Sequence, residues 1–220
     1  MAINKRKASP GIRIGIIIVA VMLVLSFIPW GSLGFFSGGN NTQQSTQGQL
    51  DGLAAQYMPR VAAFDQSLAS EPTSYTVLVS LGNTYFDWGL DVQRLPNAGG
   101  GADRPMWISA ASFYDRALAV NATEPPVLTD AAIAHFYAGD VAESIALVEA
   151  VFAQTDEFAP AYFNAGIFYG AAGMNAQALA AFERYLELDP DGQAGDPQLA
   201  ASRITELQSA IGSGETTGTP

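Results

Sequence analysis

Proton transfer, nucleophilic attack and metal binding need particular side chains, and this 220-residue chain supplies few of them: no cysteine and a single histidine, His135. Without a thiolate there is no cysteine nucleophile, disulfide, Cys-based zinc site or thioether haem attachment. His135 could act as a general acid or base only beside a partner that the sequence does not nominate. Asp189, Asp191, Gly192 and Asp196 faintly resemble a calcium loop, but Pro190 and the missing third and terminal ligands break that spacing. The run Gly99-Gly100-Gly101 invites a phosphate-cradle reading, yet it lacks the Lys-Ser/Thr pair and follows no strand, so it reads as a mobile surface loop. Acid pairs such as Asp156-Glu157 and Glu183/Glu187 read as a solvated helix face. The expectation is a protein that binds and does not catalyse, with no catalytic residue, no metal and no cofactor.

Charge is split along the chain. Lys5, Arg6, Lys7 and Arg13 precede residue 14, whereas everything after holds six Arg and no Lys against 21 Asp plus Glu, a net of −15. A domain this acidic is repelled by phosphate backbones and anionic lipid surfaces, which excludes nucleic acid as an expected partner.

The elements that carry the remaining side chains are legible between Ala159 and Pro190. Tyr162, Ala165, Gly166 and Tyr169 recur at offsets of three and four and so share one helical face, with Ala165/Gly166 leaving room for another helix. Gly173 supplies a turn. Ala178, Phe182 and Tyr185 then mark a second helix, stopped at Asp189-Pro190 because proline lacks the N–H a further turn needs. Thirty-four residues upstream (162 − 128 = 34), Leu128, Ala131, Ala132 and His135 fall on the first helix, Gly139 on Gly173, and Ser144 and Val148 on the second. Further upstream, Leu78, Leu81, Gly82, Tyr85 and Gly89 form another first helix, and its partner helix, Ala110, Tyr114 and Ala117, is displaced by 16 residues (110 − 94). That offset predicts an insertion over 90–105.

Period and residue types together resemble the tetratricopeptide repeat (TPR), whose signature W-x2-L-G-x2-Y, A-x3-F, P is met here by Tyr162, Ala165, Gly166, Tyr169, Ala178, Phe182 and Pro190. The resemblance implies an all-α solenoid of about three helical hairpins: 75–124 with the inserted loop, 125–158 and 159–192. Leu53 to Ala69, with Tyr57, Val61, Phe64 and Leu68 on one face, predicts a capping helix or half repeat within 50–74, starting or kinking near Pro59. Asp196-Pro197 reads as N-cap and first residue of a C-terminal capping helix over 196–211, which would cover the last apolar face. The tail 212–220 is expected to be disordered.

The family resemblance also implies a concave surface lined by the first helices and occupied by a peptide or partner helix. Taken one and five residues after each leading residue, and one turn on, the lining is predicted to be Val79, Asn83, Phe86, Thr129, Ile133, Phe136, Phe163 and Ile167. Members that clamp a C-terminal carboxylate carry Lys, Arg and Asn there, and only Asn83 conforms. An apolar lining in acidic surroundings instead suits a basic amphipathic segment of a protein partner. The alternatives are occupation by the C-terminal helix, or self-association of an architectural membrane protein, a homo-oligomer without a separate peptide ligand.

Ahead of the repeats, Ile14 to Ile28 carries no charge and the apolar character persists to Phe36. Twenty-three residues at about 1.5 Å each reach roughly 34 Å, enough to span a bilayer. Positive charge on the N-terminal flank alone predicts residues 1–13 in the cytoplasm, a retained transmembrane helix over 14–36 and an extracytoplasmic repeat domain. Residues 37–49, SGGNNTQQSTQGQ, read as a flexible tether. This layout, one span then a few repeats, is similar to bacterial envelope assembly factors.

Overall fold

A computed structural model describes residues 46–96 and 100–213. The predicted span over 14–36, most of the tether and residues 214–220 lie outside the described residues.

The described residues form eight helices and no strand: α1 Thr46–Ser70, α2 Tyr75–Gln93, α3 Arg104–Leu118, α4 Pro125–Ala138, α5 Val141–Phe152, α6 Ala159–Ala171, α7 Asn175–Leu188 and α8 Pro197–Ser213. None of them is long and apolar enough to cross a membrane. The helices pair as α2/α3, α4/α5 and α6/α7, with α1 packed on α2 and α8 on α7. Two of the three hairpin turns are set by glycines in the left-handed region, Gly139 at φ 98° and Gly173 at φ 72°, where a Cβ is disfavoured. At the first of these the Asp140 carboxylate accepts the Glu143 N–H at 3.1 Å and caps α5. Asp140→Ala is therefore expected to lower stability by about 1 kcal/mol, read as a lower urea midpoint with unchanged slope.

Each hairpin closes because a first-helix small residue admits a second-helix side chain. A Cβ on Gly82 would lie 2.6 Å from the Tyr114 ring, and one on Gly166 2.6 Å from the Phe182 ring. The corresponding positions of the middle hairpin hold Ala132 and Val148, a side chain larger on one helix and smaller on the other, both buried. Gly82, Ala132 and Gly166 thus occupy equivalent places, as the spacing predicts.

Second helices pack on the next first helix, α3 on α4 and α5 on α6. First helices also touch one another, α2 with α4 and α4 with α6, whereas the second helices make no comparable mutual contact. A stack whose first helices converge and whose second helices diverge curves with the first helices inside.

Three local readings differ from expectation. Helix α1 begins at Thr46 and runs through Pro59. The carbonyl that loses its partner there is that of Ala55, and both residues are exposed, so solvent is able to satisfy it. What holds the upstream turns is packing: Leu50, Leu53, Ala54 and Tyr57 cluster with Trp88 and Val92, and the Tyr57 hydroxyl donates to Asp91 at 2.7 Å. Helix α2 continues to Gln93 because Trp88, Gly89 and Val92 are buried, which shortens the insertion to 94–103. Helix α8 passes Gly212 and is helical through Ser213, the last described residue.

Candidate partner-binding face

At 100° per residue, helix positions two before and two, five and nine after each leading residue fall on one stripe. With Leu78, Leu128 and Tyr162 leading, the stripes are Thr76, Ser80, Asn83 and Asp87 on α2; Pro126, Asp130, Ile133 and Tyr137 on α4; Pro160, Asn164, Ile167 and Ala171 on α6. All twelve are exposed or half-buried, while the leading residues Leu78 and Leu128 are buried. This stripe is the inner surface of the curve.

Three of the eight expected lining residues, Asn83, Ile133 and Ile167, sit on that stripe. Val79, Phe86, Phe136 and Phe163 flank it, half-buried and engaged between helices. Phe86 meets Trp107 edge-on at 5.0 Å, Phe136 packs against Phe168 at 4.9 Å, and Phe163 against Tyr185 at 5.0 Å. Thr129 is a correction: it is 3% exposed and its hydroxyl donates to the Pro125 carbonyl at 2.9 Å, so it belongs to the packing of α4. The position one after the leading residue looks surface-like in a linear pattern only because the flanking helices that cover it are not visible there.

The expected lining omits the positions two and nine after the leading residue, which bring Asp130, Asp87 and Tyr137 to the surface. Tyr137 is 41% exposed with its ring stacked at 4.7 Å on Trp107, itself fully buried. The Tyr114 hydroxyl donates to Asn83 Oδ1 at 2.7 Å, which leaves the amide NH2 of the exposed Asn83 free to donate elsewhere. Asp130 lies half-buried near Asp87; burial first, and the Asp87 charge second, push its carboxyl up to about 6. The lining is therefore mixed: acid and amide at α2, apolar and acid at α4, apolar and amide at α6. Helical arithmetic alone is enough to find it.

The raised Asp130 carboxyl has a measurable consequence. It holds its proton more tightly folded than unfolded, so its contribution to stability is full below its ordinary value of 3.8, falls as pH rises toward 6, and is a constant penalty above that. Asp130→Asn should stabilise the chain by about 1–3 kcal/mol at pH 7.5 and leave it unchanged at pH 3.5, in urea titrations at the two pH values.

Other polar clusters serve the scaffold. His135 Nε2 lies 2.9 Å from Asp115 Oδ1, tying α4 to α3; that hydrogen bond, opposed by burial, raises the imidazole's pKa. The Asp189 carboxylate accepts the N–H groups of Gln193 and Ala194 at 2.8 and 2.6 Å. Burial would raise its pKa, but these donors outweigh it and lower it, and its oxygens face its own turn. Asp196 caps α8 through the N–H groups of Gln198 and Leu199, both at 3.0 Å. Arg104, closing the insertion, donates from Nε to the Ala138 carbonyl at 3.1 Å and ties the loop's end to the α4–α5 turn. Helix α8 brings Ala200, Ile204 and Leu207 to a cluster that includes Phe163 and Ile167, closing the α6 end. The open stretch is that of α2 and α4.

No protein-family model and no curated protein matches the sequence. Solved structures do match the architecture. The first TPR domain of Spaghetti (RPAP3), bound to an HSP90 peptide, is 21% identical, with 63% of this chain and 93% of that chain aligned at a TM-score of 0.50. A MamA structure is 18% identical, covering 80% of this chain and 96% of that one at 0.53, and a second MamA structure aligns at 0.52 with 81% and 98% covered. The described chain has the TPR fold. Identities this low speak to the fold alone, and the TPR face of this chain carries its own residues.

Proposed function

We propose that this chain is a TPR scaffold that binds a segment of a protein partner on the inner face of its solenoid, held at a membrane by the apolar stretch 14–36, with the repeat domain on the far side from the basic N-terminus and a role in assembling an envelope complex. It acts by binding and not by catalysis. One observation carries the reading: first helices α2 and α4 leave open a stripe that the hairpins do not need for their own packing, with Tyr137 exposed and Ile133 half-buried in it, while α8 closes the α6 end beside Ile167. The RPAP3 domain of like fold, bound to a peptide, supports it. The membrane assignment is supported by the uncharged run and the flanking charges of the sequence.

Photo-reactive residues at Ile133 and Ile167 in the host cell test this directly. The expected result is an adduct to another polypeptide from Ile133, a weaker one from Ile167 beside α8, and none from the outward-facing Ser112 and Ala146. Adducts only to a second copy of the chain would favour the self-associating alternative, and adducts from the outer positions alone would remove the inner-face reading.

A further inference from the structure

Between α2 and α4 the open face combines two properties. Phe86, Ile133 and Tyr137 present apolar and aromatic surface, and Asp87, one turn after Asn83 on α2, and Asp130 on α4 act on each other and on the Tyr114 hydroxyl that holds Asn83, with neither carboxylate hydrogen-bonded or ion-paired among the described residues. Of the six arginines after residue 14, Arg60 lies on α1, Arg94 in the insertion, Arg116 on α3, Arg184 on α7 and Arg203 on α8, while Arg104 at the start of α3 reaches the C-terminal end of α4, at the Ala138 carbonyl eight residues beyond Asp130. Several of these are engaged in the scaffold, Arg184 with Glu187 and Arg203 with Glu206, each through a 2.8 or 2.7 Å contact. The stripe positions of α2 and α4 therefore carry one sign of charge, Asp87 and Asp130, set into an apolar strip.

We infer that this stretch receives a basic amphipathic segment, seating a lysine or arginine between Asp87 and Asp130 while neighbouring apolar side chains cover Ile133 and Tyr137. The inference rests on the partner-binding reading above and adds the chemistry of the ligand. Charge complementarity selects it: an acidic or C-terminal carboxylate ligand would bring a third negative charge to this carboxylate pair with no lysine or arginine in the lining helices and His135 of α4 engaged with Asp115 of α3, whereas an ammonium or guanidinium relieves their mutual repulsion. Asn83 orients the approach, its Oδ1 held by Tyr114 and its NH2 left as a donor for the segment's backbone. The exposed Tyr137 ring, backed by buried Trp107, gives the segment's apolar side chains an aromatic surface to cover.

The test is fluorescence anisotropy with the full-length chain in neutral-detergent micelles. The probe is a short labelled amphipathic peptide of leucine, glutamine and lysine, alongside its counterpart with every lysine replaced by glutamine. Asp87→Asn with Asp130→Asn is expected to raise Kd for the lysine peptide at least about tenfold, and to leave the glutamine peptide unaffected. Glu183→Gln with Asp191→Asn removes the same charge from the outer surface and is expected to change Kd less than about twofold. Micelle partitioning is common to all variants and cancels in the comparison. Equal losses in the two double variants, no loss in either, or no binding to the unaltered chain would overturn the inference. Ile133→Ser with Tyr137→Ser separates the two levels. Binding lost there but indifferent to the aspartates keeps the face and removes the cation seat, while binding indifferent to all four residues removes the face as well.

Discussion

Gly166→Val should destabilise the chain by about 3 kcal/mol or more, although valine is a better helix former than glycine. The close approach of the two helices decides the sign: a Cβ at this position falls 2.6 Å from the Phe182 ring, and the ring is 2% exposed with nowhere to go. Helix propensity returns less than about 1 kcal/mol, whereas overpacking of a closed core costs about 1–3 kcal/mol for each step of added bulk. Gly166→Ala is the milder version, with a net cost of about 1–2 kcal/mol. The middle hairpin, with Ala132 and Val148 at these positions, indicates the compensation. In a double-mutant cycle Gly166→Ala and Phe182→Val should couple favourably by about 1 kcal/mol or more, measured by urea denaturation. Additive effects would mean that the two helices do not meet where the repeat register puts them.

Trp107→Ala is expected to cost about 3–5 kcal/mol. The side chain is fully buried, its ring faces Gly89 so closely that a Cβ there would sit 2.8 Å away, and its Nε1 donates to Asp103 at 2.8 Å. It also backs the inner face, touching Phe86 edge-on and Tyr137 in a stack. Loss of the indole therefore loosens the insertion's anchor and the aromatic part of the face together. Trp107→Phe, which keeps a ring and loses the hydrogen bond, should cost about half as much. A loss under about 1 kcal/mol for the alanine variant, in the same urea measurement, would show that this tryptophan does not hold α2, α3 and α4 together.

The two predictions mark what a linear reading can and cannot reach. Gly82, Ala132 and Gly166 are legible because close helix approach demands small residues at a fixed period, and the period survives the insertion. Asp196 is legible as a cap for a similarly local reason. The start of α1 is not, because Thr46 to Gln49 shows no apolar rhythm and its helicity depends on packing of the following turns against Trp88 and Val92. Pro59 reads as a boundary in the sequence because its exposure, which makes the lost hydrogen bond tolerable, is a tertiary fact. On the candidate face, Ile133 and Ile167 follow from the repeat, and Thr129 is lost to burial. Asp130 looks like any polar helix residue until the fold places Asp87 on the neighbouring helix close enough to disfavour its charge.

A cysteine-free chain allows the central claim, occupation of the inner face in the cell, to be read with single introduced thiols. Asn83, Ile133 and Ile167 are register-equivalent inner positions; Ser112, Ala146 and Ala180 are register-equivalent outer ones, all three exposed. Rates of N-ethylmaleimide labelling in intact host cells, each divided by the rate for the same variant purified, should fall well below one for Asn83 and Ile133, with a smaller drop at Ile167 beside α8, and stay near one at the outer three. Ratios near one at the inner positions, or protection confined to Ser112, Ala146 and Ala180, would contradict it.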